Sequence, residues 1–173
     1  MSTRSTPLGA VARGLVAGAI GTAFMTIAQD LTAKLQGSGD DGEQQGSGQS
    51  QPQDPWQQAS APAKVAKRIS EGVFQHEVSP DRISLLTHGM HWSYGTGWGA
   101  VYGLAQGTIH APTLRHGLLF GTGVWAMSYV ELVPMGLYEP PWKYSPSAIA
   151  SEVGYHLVYG TATAAAYSLL DRR

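Results

Sequence analysis

Cysteine is absent from this chain, and charged side chains are scarce, with 11 Lys and Arg and 12 Asp and Glu among 173 residues. The first absence excludes disulfides and thiolate chemistry, while leaving the compartment open. A formal net charge of −1 argues against a nucleic-acid partner, which calls for a basic patch. Also missing are a Ser-His-Asp arrangement, a Gly-rich phosphate loop, a CxxC pair and an H-E-x-x-H run, the usual marks of hydrolases, nucleotide enzymes, thiol redox proteins and zinc proteases. The sequence leans away from an enzyme.

The few charges are unevenly spread. Four windows, 14–29, 83–114, 116–130 and 153–170, are nearly free of Lys, Arg, Asp and Glu. A bilayer core takes about 20 mostly apolar helical residues. Extending each window slightly gives expected membrane helices near 8–30, 85–109, 115–138 and 148–170. A soluble helical domain would need a polar face on each helix, which these windows do not supply. Residues 1–30 also resemble a signal peptide, but Thr26-Ile27-Ala28 is a poor cleavage site, and a retained first helix is expected.

What the chain does have is repetition. His91-Trp92-Ser93-Tyr94-Gly95-Thr96, followed by Tyr102, returns 65 residues later as His156-Leu157-Val158-Tyr159-Gly160-Thr161, followed by Tyr167. Each His begins a row of small residues spaced by four: Gly95, Gly99, Gly103 and Gly107 in one case, Gly160, Ala164 and Ser168 in the other. Residues four apart share a helix face, so each row is a smooth strip with a histidine at one end. A weaker echo links Gly14–Gly18 with Gly117–Gly121. Together these predict an all-α, four-helix membrane bundle made of two αα-hairpins in parallel orientation. Gly14, Gly18, Gly95, Gly99, Gly103, Gly107, Gly117, Gly121 and Gly160 are expected to be its close-packing positions.

Between the first two helices, 37–61 is rich in Gly, Ser, Gln and Asp and reads as a disordered polar loop. After it, Val65, Ile69 and Val73 share a face of a short amphipathic helix near 62–75. This helix either lies in the headgroup region or caps the bundle. Tyr138, Trp142 and Tyr144 suit a headgroup-level aromatic belt. Basic residues are nearly balanced between the two sides, and the short basic segments at the termini favour termini inside.

Alternating helix direction brings Asp30, His88, His91, Glu131, Glu152 and His156 to one half of the membrane. Such groups are costly in lipid and mark function by default. Glu152 and His156 are an i, i+4 pair, His88 and His91 an i, i+3 pair, and Pro134 loosens the helix beside Glu131. Three readings stay open. The polar layer can serve as interhelical glue. It can respond to or carry protons. It can hold haem or a transition metal through imidazole and carboxylate. The partners expected are the lipid bilayer and either a second copy of the chain or a membrane subunit that it scaffolds.

The stretch 114–160 resembles the YagU-like family of small bacterial inner-membrane proteins. The residues that carry the likeness are Gly117-Leu118-Leu119-Phe120-Gly121, Pro134-Met135-Gly136-Leu137, Pro140-Pro141-Trp142 and Ser151-Glu152-Val153-Gly154-Tyr155-His156-Leu157-Val158. Here Tyr155 separates Gly154 from His156, where family members can place the two adjacent. The resemblance implies an inner-membrane, multi-pass protein with both termini in the cytoplasm. It implies no known reaction, but a link to acid-stress survival.

Overall fold

In the computed structural model, which describes residues 6–37, 54–109 and 114–171 and all of their side chains but those of 107–109, every regular element is helical. In chain order these are α1 (Pro7–Leu35), the short α2 (Pro55–Gln58), α3 (Ala61–Val73), α4 (Ile83–Ile109), α5 (Leu114–Leu132) and α6 (Pro146–Leu170). The expected all-α class holds. Of the expected loop at 37–61, residues 38–53 lie outside the described residues. Its downstream end is helical, because Asp54 caps α2 and Ser60 caps α3.

Local chemistry sets the helix ends. Thr6, Asp54, Ser60 and Ser145 each accept an amide hydrogen bond as an N-cap, and each is followed by Pro in the first turn. Proline fits there because the first helical amides have no carbonyl partner. The helix expected at 115–138 stops at Leu132 instead. Pro134 has no amide to donate, and Gly136 turns the chain at φ 66°. The amide of Leu137 then bonds the Leu132 carbonyl at 3.0 Å. The chain folds back and brings Met135 and Tyr138 against the bundle. The helix expected at 8–30 runs on to Leu35 and ends at Gly37, where φ is 74°.

The four long helices pack side by side, α4 on α1, α1 on α6, and α6 on α5. The buried residues of α1, Ala10, Gly14, Ala17, Gly18, Gly21, Thr22 and Met25, recur every three or four positions on one smooth face. A Cβ on Gly14 would meet the Gly99 carbonyl oxygen, and one on Gly18 would come within 2.7 Å of the Gly99 Cα. Gly95 faces Thr22, and Gly103 faces the Ala10 carbonyl. The second seam is built alike, since Gly117 and Gly121 of α5 face the carbonyls of Gly160 and His156 of α6. Seven of the nine packing glycines therefore face neighbouring backbone and Gly95 faces a side chain, while Gly107 falls among the side-chain positions outside the described residues.

Tyrosines bond across the bundle. Tyr159 donates to the Gly95 carbonyl at 2.6 Å and Tyr167 to the Gly103 carbonyl at 3.3 Å. Between α4 and α5 the backbones barely approach. Rings fill that gap instead: Trp98 stands edge-on to Phe120 at 6.4 Å, and Phe120 tilts against Tyr102 at 4.8 Å. At the end of the bundle that holds Thr6 and Asp171, Arg13 pairs with Asp171 at 3.2 Å and Gln106 bonds His116 at 3.1 Å.

Among the described residues one helix, α1, is by itself long and apolar enough to cross a membrane. The others fall short of that mark.

Candidate functional site

The gap between α4 and α5 widens toward the end of the bundle that carries α3. There it becomes a cavity of about 360 Å³. Three elements aim polar groups at it: His91 and Tyr94 from α4, Glu131 from the end of α5, and Glu152 and His156 from the first three turns of α6. Met25 and Gln29 of α1 form one wall, and Met135 and Tyr138 of the folded-back segment form another. Pro62 and Val65 of α3 close the top. That places α3 as a cap on the bundle.

Each polar group has a defined partner. Glu131 accepts the Tyr94 hydroxyl at 2.9 Å, and Glu152 accepts the Tyr129 hydroxyl at 2.6 Å. The two carboxylates are thus held by tyrosines rather than by the histidines. The Nδ1 of His156 lies 2.8 Å from the Glu152 carbonyl. A carbonyl only accepts, so Nδ1 carries the hydrogen and Nε2 is left basic. Thr26 already donates to the Thr22 carbonyl at 3.0 Å, so its 3.4 Å contact with His91 Nε2 makes that nitrogen the donor. The basic nitrogen of His91 is then Nδ1. Two neutral imidazoles in opposite tautomers therefore line one chamber, each with a lone pair free to take a proton.

His91, Glu131, Glu152 and His156 all line this chamber. His88 does not, because it is exposed on the outer side of α4 and absent from the chamber wall. An i, i+3 pair is adjacent along a helix, yet a face narrower than the step between the two admits one and leaves the other outside. Asp30 is likewise exposed and away from the wall. Among the described residues no three His, Asp or Glu side chains converge as a metal-binding group.

The structure adds residues that the sequence pattern passes over. Tyr129 and Thr26 hold Glu152 and His91, yet neither belongs to the repeated motif. Met25, Met90 and Met135 all line the chamber, and three methionines scattered along a chain carry no spacing signal. The α3 cap is anchored at both ends of its inner face. Ser60 bonds Thr87 at 2.8 Å, and Arg68 donates through Nη1 to the Met135 carbonyl at 2.7 Å. Farther out, Lys67 pairs with Glu71 and stands over the Trp56 ring at 5.3 Å. The Lys67 ammonium holds the Glu71 carboxyl below the usual carboxylate range.

Compared with protein-family models, curated proteins and solved structures, the chain matches none.

Proposed function

We propose that the chain is a multi-pass inner-membrane protein, with both termini in the cytoplasm, whose His/Glu chamber lies in the outer half of the bilayer and responds to or carries protons. Support for the membrane comes from the inverted surface. Leu15, Val16, Ile20, Phe24, Ile27 and Leu31 are exposed along α1, and Val101, Leu104, Leu119 and Val130 on α4 and α5. The interior is Gly, Ala, Thr and Tyr. A water-soluble bundle would bury the first set, and an apolar surface of this extent marks a partner or lipid. Small residues at helix seams and large ones outside are what packing in lipid favours, since there is no hydrophobic gain from burying Leu. Ile69, Val73 and Phe74, exposed on the outer part of α3, fit contact with headgroups.

A doubled hairpin is part of this reading. Laying α1 on α5 through Gly14/Gly117, and α4 on α6 through His91/His156, sets Arg13 on His116 and Gln106 on Asp171. The two pairs observed are Arg13–Asp171 and Gln106–His116, which this operation exchanges. It also sets Ala17 and Gly21 on Phe120 and Val124, and Thr163 on Trp98. Small residues let α1 and α6 close, where Gly21 faces Thr163. Their large counterparts hold α4 and α5 apart, and the chamber occupies the resulting gap. A symmetric ancestor would have no such opening.

The observation that carries the functional reading is the single chamber shared by His91, Glu131, Glu152 and His156. Two imidazoles with free lone pairs change charge between about pH 5 and 8 unless strongly perturbed. The opposite end of the bundle is sealed by glycine seams, so protons reach the chamber from the α3 side. The YagU-like resemblance, with its acid-stress link, points the same way. The haem or metal reading has two basic imidazole nitrogens in its favour, but among the described residues no three His, Asp or Glu side chains converge as a metal-binding group. A scaffolding role in a larger complex rests on no feature of the chamber.

The test is tryptophan fluorescence of the protein in lipid nanodiscs, titrated from about pH 8 to 4.5. A sigmoidal change is expected from Trp98, whose ring meets that of Tyr94 at 6.1 Å, and it should shift or vanish in Glu152→Gln/His156→Gln. A flat titration of the unaltered protein contradicts the proposal.

A further inference from the structure

The walls of the chamber say more than that it is polar. It has two carboxylates, two neutral imidazoles and no Lys or Arg among its lining residues. One oxygen of each carboxylate is engaged by a tyrosine, Glu131 by Tyr94 and Glu152 by Tyr129. Neither second oxygen has a protein hydrogen-bond donor among the described residues. On α1 the chamber meets only Met25 and Gln29, and on α4 only His91 and Tyr94 are titratable. Tyr138 follows α5, and Tyr155 and His156 accompany Glu152 on α6. Arg68 of α3 keeps its charge while donating through Nη1 to the Met135 carbonyl, and it is not part of the chamber wall. Among the described residues no Lys or Arg lines the chamber beside the pair.

Size decides what can neutralise the pair. A volume of about 360 Å³ lies in the range of small-molecule sites, about 300–1,000 Å³. It far exceeds the roughly 30 Å³ share of one water in the liquid, so a bare ion would rattle. Most of the wall is apolar and deformable, with Met25, Met90 and Met135 able to remould around different shapes. Tyr94, Tyr138 and Tyr155 line it, and aromatic rings attract cations most strongly when water is displaced. Pro62 and Val65 on α3 exclude water from above. Apolar walls, aromatic rings and paired negative charge together describe one ligand class.

We propose that the chamber binds an amphipathic organic cation, a protonated or quaternary amine carried on a compact aromatic or alkyl body, with Glu131 and Glu152 as its counter-ions. The inference rests on the proton-responsive chamber and deepens it: proton uptake and cation binding oppose each other. Protonation of His91 and His156 adds positive charge beside the site and drives the cation out. Loading is therefore favoured on the alkaline side and release on the acid side.

The experiment uses the full chain in nanodiscs, with benzyltrimethylammonium as the cation, benzyl alcohol as its neutral counterpart and benzoate as the anion. Binding is read by calorimetry at about pH 8 and about pH 5. The cation is expected to bind saturably at the higher pH, at least about tenfold more tightly than benzyl alcohol, and to lose at least about tenfold at the lower pH, with no benzoate binding. Glu131→Gln, at the exposed rim, and Glu152→Gln should each weaken the cation but not the alcohol. Val65→Trp, which fills the chamber and leaves its charges alone, should abolish both. Equal affinity for alcohol and cation overturns the inference, as does wild-type affinity in both Gln variants. If the unaltered protein keeps its pH-dependent fluorescence but takes no cation, this inference fails and the proton-responsive reading stands. If neither response is seen, both fail.

Discussion

At the residue scale, identical side chains do different work in this bundle, and their surroundings say which. Tyr159 and Tyr102 are both buried, at 2% and 3% exposure. The first donates to a carbonyl on another helix, whereas the Tyr102 hydroxyl has no partner among the described residues. Removing a satisfied hydroxyl loses a bond worth about 1 kcal/mol, while removing an unsatisfied one relieves a buried polar atom. Tyr159→Phe is therefore expected to destabilise by about 1 kcal/mol, and Tyr102→Phe to be neutral or stabilising, in SDS or thermal unfolding of the detergent-solubilised protein. Equal losses in the two would contradict this. The glycines divide in the same way. A Cβ at Gly99 would collide with the backbone of α1 at Gly14 and Gly18, and one at Gly97 would meet nothing within 4 Å. Gly99→Ala should push α1 and α4 apart, and Gly97→Ala should gain up to about 1 kcal/mol from helix propensity. The same unfolding assay separates them, and a tolerated Gly99→Ala would show that the seam is looser than described.

At the element scale, the histidine–glycine motif marks α4 and α6, and charge-free windows mark α1 and α5, because both signals are periodic and local. The early stop of α5 could be read in Pro134 and Gly136, but an apolar run continuing to Leu137 obscures it. The chamber was only partly legible. His91 and His156 stand at the head of each strip, so their direction follows from the helix. His88 was misplaced because neighbourhood on a helix does not fix which side of a narrow opening a residue takes. The carboxylate partners Tyr94 and Tyr129, and the cap residues Pro62 and Val65, depend on how α3 and the segment after α5 fold back, and no spacing encodes that. The α3 cap also carries its own pH limit. Glu71 is held below its ordinary pKa by Lys67 and accepts the Val78 amide at 3.4 Å. A depressed carboxylate contributes stability that is fully present above its unfolded pKa and is lost as pH falls through the folded value. Hydrogen exchange of α3 should thus stay slow down to about pH 5 and quicken below about pH 4, with that step absent in Glu71→Gln. A step near neutrality would assign the cap to another group.

At the scale of the whole molecule, one substitution pattern accounts for both shape and site. Helices α1 and α6 close on each other through Ala17, Gly21 and Thr163, while Phe120, Val124 and Trp98 stand between α4 and α5. These large side chains leave an opening at one end, and the titratable side chains that lipid would otherwise penalise gather there. In the proposed membrane placement, the sealed end and the open end face opposite sides of the bilayer. Because the chain has no cysteine, this can be examined with single introduced thiols and no background. Intact cells expressing Thr6→Cys, Gln36→Cys, Ser79→Cys, Tyr144→Cys or Asp171→Cys would be treated with a membrane-impermeant maleimide before and after permeabilisation. Labelling is expected at 36, 79 and 144 in intact cells, and at 6 and 171 only after permeabilisation. Equal labelling of both sets from one side, or recovery of the folded chain in the soluble fraction without detergent, would contradict the four-span bundle.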